Sequence, residues 1–251
     1  MATQEKVAFI TGANRGLGFE TARGLGELGI TVLLGSRDAG KGENAAEGLR
    51  KQGIKAESVT FDVSNHEEHK RLAAMLEKRF GRLDILVNNA AVAKDEADFG
   101  NPNGFNTTST VTEVILRETF DTNFFAVVAL TQTLLPLIHK SPAGRIVNLS
   151  SILGSLTLHS DPKASIYDRK AFAYDASKTA LNAFTVHLAH ELRDTPIKVN
   201  SAHPGWVKTD MGGAAAPMEV SEGGKTSVQL ATLPDDGPTG GFSHLGETLP
   251  W

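Results

Sequence analysis

The sequence contains no cysteine, and this absence excludes several kinds of chemistry. A chain without thiols forms no disulfide, offers no thiolate nucleophile and cannot build a cysteine-ligated metal site. Long apolar runs are also missing, since none approaches the roughly 20 residues that a membrane-spanning helix needs. The first residues, MATQEKVAFITG, lack the apolar core of a signal peptide. We therefore expect a cytoplasmic protein with no membrane partner.

The chain also lacks a strong excess of charge of either sign. Its formal net charge is −4 over 251 residues, which provides no general attraction to nucleic acid or to an anionic membrane surface. Hydrophobic residues make up 40% of the sequence, which is enough for a substantial buried core. No linker, charge block or internal repeat divides the chain, so we predict one domain over residues 1–251.

Strand-like and helix-like segments alternate along the chain. Short apolar stretches typical of buried strands are separated by longer segments in which apolar residues recur at helical spacing. The predicted strands are Val7–Ile10, Ile30–Leu34, Ala56–Phe61, Leu83–Val87, Arg145–Leu149, Ile197–Ala202 and Gly240–Ser243. Repeated β–α units require a parallel sheet with right-handed connections and helices on both faces. We therefore predict an α/β fold, a single-domain Rossmann fold whose doubly wound parallel sheet has about seven strands.

Three less regular segments interrupt this alternation, at residues 94–110, 152–172 and 205–230. We predict that they are mainly loops, with some helix in the last one. The helical segment 111–140 is expected to break into two pieces near Asn123, and Phe172–Arg193 is expected to form one long helix. Ligands bind beyond the carboxyl ends of strands in open α/β sheets, so we expect these loops to shape the substrate pocket.

The stretch Thr11–Gly18, with the sequence TGANRGLG, joins the first predicted strand to the first predicted helix. Backbone N–H groups at a helix N-terminus can bind a phosphate, and glycines let the phosphate oxygens approach closely. The spacing is GxxxGxG rather than GxGxxG, and an ordinary glycine-rich connection is the alternative interpretation. This stretch alone leaves nucleotide binding open.

Tyr174 and Lys178 are four residues apart near the start of the predicted long helix, and therefore lie on one helix face. An unperturbed tyrosine has a pKa of about 10. A neighbouring ammonium would stabilise the phenolate and lower that pKa. Such a pair is suited to acid–base chemistry between an alcohol and a carbonyl group. The alternative is a tyrosine and a lysine on a solvated helix face.

Five motifs together resemble those of the short-chain dehydrogenase/reductase family, and their sequences are most similar to its carbonyl-reductase-like branch. TGANRGLG resembles the cofactor turn, NNAA resembles the NNAG motif, and NLSS resembles the strand that carries the catalytic serine. YDASK matches the YxxxK motif, and HPGWVKTDM resembles the PG motif with its following threonine. The motifs occur in the order typical of the family. The resemblance implies NADP(H)-dependent reduction of aldehydes and ketones to alcohols, or the reverse oxidation.

The resemblance also assigns roles to matching residues. Tyr174 would give or take the proton, Lys178 would lower the tyrosine pKa and hold the nicotinamide ribose, and Ser151, rather than Ser150, would bind the substrate oxygen. Asn123 would help a water relay reach Lys178, although a helix N-cap is a common alternative use of asparagine. Further residues would contact the cofactor. These are Gly12, Asn14, Arg15, Gly16, Leu17, Gly18, Arg37, Asp62, Val63, Asn89, Ala90, Pro204, Gly205, Val207 and Thr209.

Arg37, just beyond the second predicted strand, indicates NADP rather than NAD. A carboxylate at this place suits the ribose hydroxyls of NAD, whereas an arginine suits a 2′-phosphate. Arg15 in the glycine turn is a second cation able to reach that phosphate. Asp38 follows Arg37 directly, which keeps an NAD-dependent alcohol dehydrogenase as an alternative. A non-catalytic NADP-sensing regulator is another alternative, although the complete set of four catalytic-type residues argues against it.

The chain departs from the family pattern in two places. Ala91 replaces the last glycine of NNAG, which matters only if the backbone needs a positive φ there. An additional stretch, roughly His159–Lys170, precedes the predicted long helix. Insertions here in the carbonyl-reductase-like branch can obstruct the helix face used for tetramers. We therefore expect a monomer or dimer rather than a tetramer.

The substrate contacts are expected from the same insertion and from two other segments. Ser151, Trp206 and Met211 are the candidate substrate residues, and the segments 99–105 and 206–218 are expected to help shape the pocket. A place in the core is the alternative for Trp206. The partner implied is a small-molecule carbonyl compound or alcohol. The sequence HLAHE at 187–191 is neither HExxH nor HxxEH, and we interpret it as the polar side of the long helix. We predict no metal site.

Overall fold

The structure, a computed structural model, describes residues 5–95 and 106–251. Strands and helices alternate through most of this part of the chain. Its strands are β1 Val7–Ile10, β2 Thr31–Ser36, β3 Ala56–Thr60, β4 Ile85–Asn88, β5 Arg145–Leu149, β6 Lys198–Ala202, β7 Phe242–His244 and β8 Glu247–Thr248. Its helices are α1 Gly16–Glu27, α2 Ala39–Arg50, α3 His66–Phe80, α4 Glu113–Phe120, α5 Ala126–Ile138, α6 Leu156–Ser160, α7 Phe172–Glu191, α8 Val220–Gly223 and α9 Lys225–Ala231.

The described strands form one sheet in the order β3-β2-β1-β4-β5-β6-β7-β8. The strands from β3 to β7 pair in parallel, which confirms the predicted seven-stranded parallel sheet. The two-residue β8 pairs antiparallel with β7, and it is too short to show a strand pattern in the sequence. The chain moves outward from β1 first toward β3 and then toward β8. This reversal opens a crevice between β1 and β4 at the carboxyl ends of the strands.

Apolar side chains cover both faces of the sheet, as the continuous apolar strands predict. In β1, Ala8 and Ile10 belong to one buried cluster, and Val7 and Phe9 belong to the other. The first cluster includes buried residues of α1, α2 and α9. The second includes buried residues of α3, α5 and α7. The helices therefore fix the sheet from both sides and leave the strand ends for the site.

One of the less regular segments, 152–172, contains more helix than the sequence indicates. Residues 156–160, predicted as loop, form α6, and the Ser155 hydroxyl caps it by accepting from the Leu158 N–H at 3.2 Å. Five residues are too few to show a helical period.

The expected break near Asn123 is confirmed as a π-helical turn, Asp121–Phe125, between α4 and α5. Residues 96–105 of the predicted loop 94–110 lie outside the described residues.

The continuous helical stretch Glu113–Ile138 corrects the expectation that no segment is long and apolar enough to cross a membrane. Its 26 residues reach a mean hydropathy of 1.3 over the most apolar window. Polar residues interrupt the stretch, which hides it from a search for unbroken apolar runs. Its side chains Leu130, Leu134 and Ile138 are buried in the core beside the sheet. In this fold the stretch is therefore a core element.

Candidate active site

A cleft of about 820 Å³ lies beyond the carboxyl ends of the strands. Every residue predicted from the sequence to bind cofactor or substrate lines this cleft, from Gly12 in the first turn to Met211 in the last loop. Asn123 is the one predicted site residue that does not line it. The cleft therefore gathers residues that are up to about 200 positions apart in sequence.

The glycine turn before α1 forms the wall of the cleft nearest β1. Gly12 and Gly16 adopt positive φ angles of 63° and 59°, a conformation that favours glycine. A Cβ added to Gly18 would lie 2.5 Å from Asn89 Nδ2, so the turn and Asn89 pack without space for a side chain. A Cβ on Gly16 would meet only Thr209 Cγ2, at 3.8 Å. The turn thus presents an open backbone cradle at the N-terminus of a helix.

Ser151, Tyr174 and Lys178 meet at the inner end of the cleft. Ser151 follows β5, and Tyr174 lies in the first turn of α7. The Ser151 and Tyr174 side chains are hydrogen bonded. Lys178 Nζ lies 5.6 Å from the centre of the Tyr174 ring and donates to the Leu149 carbonyl at 2.7 Å. Ser150 is also buried, and its hydroxyl has no hydrogen bond to the described residues.

Burial controls the protonation of this group. Burial raises the pKa of Tyr174, the hydrogen bond with Ser151 lowers it in part, and the nearby Asp175 charge raises it further. Burial lowers the pKa of Lys178 to about 7. The net pKa of Tyr174 is thus raised rather than lowered, because desolvation disfavours the phenolate. Tyr174 is consequently protonated at neutral pH. A lowering of this pKa by Lys178 stays a prediction, and in this structure the lysine donates to the Leu149 carbonyl.

Asn123 holds a neighbouring segment of backbone. It is fully buried in the π-helical turn, and its Oδ1 accepts from the Val92 N–H at 2.9 Å. Its Nδ2 donates to the Val92 carbonyl at 2.8 Å and to Ser177 Oγ at 3.0 Å. No side-chain cap precedes α5, so the N-cap alternative is wrong. The role of Asn123 in a water relay to Lys178 stays a prediction.

Both arginines predicted to bind the 2′-phosphate, Arg15 and Arg37, line the cleft. Arg15 forms an exposed ion pair with Asp210 across the mouth of the cleft. Asp38 caps α2 by accepting from the Lys41 N–H at 2.9 Å, and that hydrogen bond lowers the pKa of its carboxyl. Arg37 lines the cleft beside it. The carboxylate that kept NAD as an alternative therefore has a structural use in α2.

The insertion and the last loop meet beside Tyr174, at the predicted substrate end of the cleft. The Trp206 indole N–H donates to the Gly212 carbonyl at 2.7 Å, which fixes the ring. The guanidinium of Arg169, from the insertion, lies 4.7 Å from the centre of that ring. Met211 packs against Tyr174 in a small apolar cluster. Trp206, Arg169 and Met211 therefore form a wall of the predicted substrate end, whereas 99–105 lies outside the described residues.

Two acidic residues near Tyr174 were missed by sequence reasoning. Asp95 is fully buried and accepts from the backbone N–H groups of Ala173 and Tyr174 at 3.1 and 3.0 Å. Asp175 lies 3.3 Å from His159 Nε2, and burial raises the pKa of its carboxyl. Asp95 falls in a predicted loop and its partners are 78 and 79 residues away, so no local signal indicates it.

His203 is a third residue that sequence reasoning missed. Its Nδ1 accepts from the Ile152 N–H at 3.3 Å, which joins the PG loop to the serine loop. Burial, followed by the neighbouring His244, lowers the pKa of His203 to about 3. Its position directly after β6, at the start of the HPGW motif, could have indicated it.

Two further expectations concern the backbone at Ala91 and the absence of a metal site. Within the described ranges the positive-φ residue other than glycine is Leu245, so Ala91 adopts a conformation open to alanine. In the same ranges no group of three His, Asp or Glu side chains is placed to hold a metal ion.

Comparisons with known proteins agree with this geometry. The family model described as short chain dehydrogenase matches residues 6–220. Short-chain dehydrogenase/reductase 1 of Saponaria officinalis is 33% identical, and the alignment covers 99% of this chain and 97% of that protein. Carbonyl reductase (NADPH) 1 of Mus musculus is 31% identical over the full length of both chains. The NADPH-bound carbonyl reductase from chicken fatty liver superposes with a TM-score of 0.82 at 29% identity, covering 99% of this chain and 100% of that one.

Proposed function

Because this chain belongs to the short-chain dehydrogenase/reductase family, we propose that it is an NADPH-dependent carbonyl reductase in which Tyr174 is the proton donor. Its relatives support NADP-dependent oxidoreduction of carbonyl compounds and alcohols in general. The observation that carries the finer proposal is the convergence of Ser151, Tyr174 and Lys178 at the inner end of the cleft.

The cleft fits NADP(H). The glycine turn leaves a cradle that a side chain at Gly16 would enter, and cradles of this kind bind pyrophosphate. Asp62, Val63 and Asn89 would hold the adenosine end. Pro204, Gly205, Val207 and Thr209 would hold the nicotinamide end together with Lys178. When bound, the cofactor supplies hydride chemistry, while the protein contributes orientation and electrostatics.

The protein residues would bind the substrate, donate the proton and hold the cofactor. Ser151 and Tyr174 would bind the substrate oxygen, and Tyr174 would donate its proton to that oxygen. Burial raises the pKa of Tyr174, which keeps the hydroxyl protonated at neutral pH, the form that a proton donor to a carbonyl oxygen needs. Lys178 would hold the nicotinamide ribose, and Asn123 would order a water next to it. The proposed substrate wall consists of Trp206, Met211 and the insertion.

Arg37 and Arg15 are proposed to bind the 2′-phosphate of NADP(H). Arg37 lines the cleft, and the capping role of Asp38 removes the main argument for NAD. The Arg37→Ala variant should therefore lose at least about tenfold in its preference for NADPH over NADH, since a charge-assisted hydrogen bond is removed. Steady-state turnover with both cofactors measures this ratio. An unchanged preference would remove Arg37 from the phosphate site.

The experiment that tests the activity is a screen of NADPH consumption. Aldehydes, aryl ketones, quinones and keto esters are offered to the wild type and to Tyr174→Phe, with chiral analysis of the products. The phenylalanine variant should lose at least about a hundredfold in turnover because the proton donor is gone, while it still binds NADPH. Near-native turnover in this variant contradicts the role of Tyr174. Binding of NADPH without turnover of any carbonyl compound by the wild type would favour the regulator.

The proposed setting is a cytoplasmic monomer or dimer that acts on a small molecule. The insertion lies against the start of α7, where His159 Nε2 is 3.3 Å from the Asp175 carboxylate, and we propose that it obstructs the helix face used for tetramers. Light scattering of the purified protein measures the assembly directly.

A further inference from the structure

The helix that carries Tyr174 begins without a cap of its own. The first N–H groups of any helix have no partner within the helix and need acceptors from elsewhere. Ala171 occupies the N-cap position of α7, and alanine has no side-chain acceptor. Asp175 reaches back to accept from the Ala171 N–H at 3.0 Å. The N–H groups of Ala173 and Tyr174 still require an acceptor.

Asp95 supplies that acceptor from a distant part of the chain. One carboxylate oxygen accepts from the Ala173 N–H at 3.1 Å and the other from the Tyr174 N–H at 3.0 Å. The side chain is fully buried. A carboxylate at a helix N-terminus is also favoured by the helix dipole. Asp95 therefore caps α7 from outside and holds the backbone of Tyr174 itself.

The segment that carries Asp95 is in turn fixed to the site. Ala90, Ala91 and Val92, which follow β4, line the cleft. The two hydrogen bonds between Asn123 and the backbone of Val92 hold this segment three residues before Asp95. The segment from Ala90 to Asp95, which Asn123 holds at Val92, therefore connects the cleft to the start of α7.

We infer that Asp95 is a positioning residue for the proposed reduction, which fixes the Tyr174 hydroxyl relative to Ser151 by capping the first turn of α7. The inference rests on the proposed function in so far as Tyr174 is the proton donor. Asp95 acts through the backbone of Tyr174. Reaction rates depend steeply on such placement, since a displacement of about 1 Å can reduce turnover about a hundredfold.

The test compares Asp95→Ala and Asp95→Asn with the wild type as full-length proteins. In the alanine variant kcat should fall about 10- to 100-fold, while the KM for the carbonyl substrate and the Kd for NADPH stay within about twofold. The asparagine variant keeps one acceptor oxygen and should recover part of kcat. The control is Asn65→Ala, which removes the side-chain cap of α3 and should leave kcat within about twofold.

Amide hydrogen exchange gives a readout that is independent of turnover. Exchange at Ala173 and Tyr174 should rise at least about tenfold in Asp95→Ala, with no comparable rise in the core strands. Unchanged exchange overturns the inference, and so does a wild-type kcat in Asp95→Ala. A wild type that reduces no carbonyl compound refutes the proposed function and, with it, the positioning role. If the alanine variant fails to fold, the kcat and exchange of Asp95→Asn decide in the same way.

Discussion

Burial favours the uncharged forms of both Tyr174 and Lys178. For Lys178 this shift makes the stability of the protein depend on pH. Burial lowers the pKa of Lys178 to about 7, against a usual lysine value near 10.4. Between these two values the unfolded chain binds more protons than the folded one. The free energy of unfolding therefore rises with pH across this window, and the stabilisation is lost as the pH falls toward 7.

The Lys178→Met variant should remove this dependence. Its free energy of unfolding should stay flat where that of the wild type rises, by up to about 1.4 kcal/mol per pH unit between about pH 7 and 10. Near pH 7 the variant should be the more stable protein, because methionine has no charge to desolvate. Urea unfolding at four pH values measures both slopes.

Lys70→Met provides the control for this experiment, since Lys70 is an exposed lysine in α3 paired with Glu67. This variant should keep the slope of the wild type. Equal slopes in Lys178→Met and the wild type would show that the lysine is charged throughout the window, contrary to the lowered pKa.

The glycine turn before α1 has no space for a side chain at Gly18. A Cβ at Gly18 would lie 2.6 Å from the Gly12 carbonyl and 2.5 Å from Asn89 Nδ2, so the turn must open to accept it. We expect Gly18→Ala to weaken NADPH binding at least about tenfold, because the displaced backbone donors leave the phosphate site. Fluorescence titration with NADPH measures the change.

Gly48→Ala is the matched control, because Gly48 lies in α2 and a Cβ there meets nothing within 4 Å. This variant should bind NADPH as the wild type does, and should gain up to about 1 kcal/mol in the free energy of unfolding. Native-like NADPH binding by Gly18→Ala would mean that the turn adapts and that its close packing is not required.

Elements with local signals could be predicted from the sequence, and those with distant partners could not. The strand, glycine turn and helix of residues 7–27 follow from apolar spacing and glycine chemistry within one short stretch. Tyr174 and Lys178 follow from the four-residue period of a helix. Asp95 has no such signal, because its two acceptor bonds reach residues 78 and 79 positions later. The raised pKa of Tyr174 could not be predicted from the sequence either, because the burial that causes it depends on the whole fold.

At the scale of the whole molecule, the two ends of the sheet have different uses. The cleft lies at the carboxyl ends of the strands, whereas a buried polar cluster lies near the amino ends of β1 and β4. In this cluster Asp84 accepts from the Val7 N–H at 2.9 Å, from Arg82 Nε at 2.8 Å and from Ser141 Oγ at 2.6 Å. Removing one member of such a group leaves buried donors without partners.

We therefore expect Asp84→Ala to lower the free energy of unfolding by about 3–5 kcal/mol, through the uncompensated Arg82 charge. The kcat of the folded fraction should not change, because the cluster lies at the end of the sheet away from the cleft. Glu57→Ala breaks an exposed ion pair with Arg79 and should lower stability by no more than about 1 kcal/mol. Urea unfolding and turnover below the unfolding transition measure the two effects separately. A loss of kcat in folded Asp84→Ala would show that the two ends of the sheet are coupled.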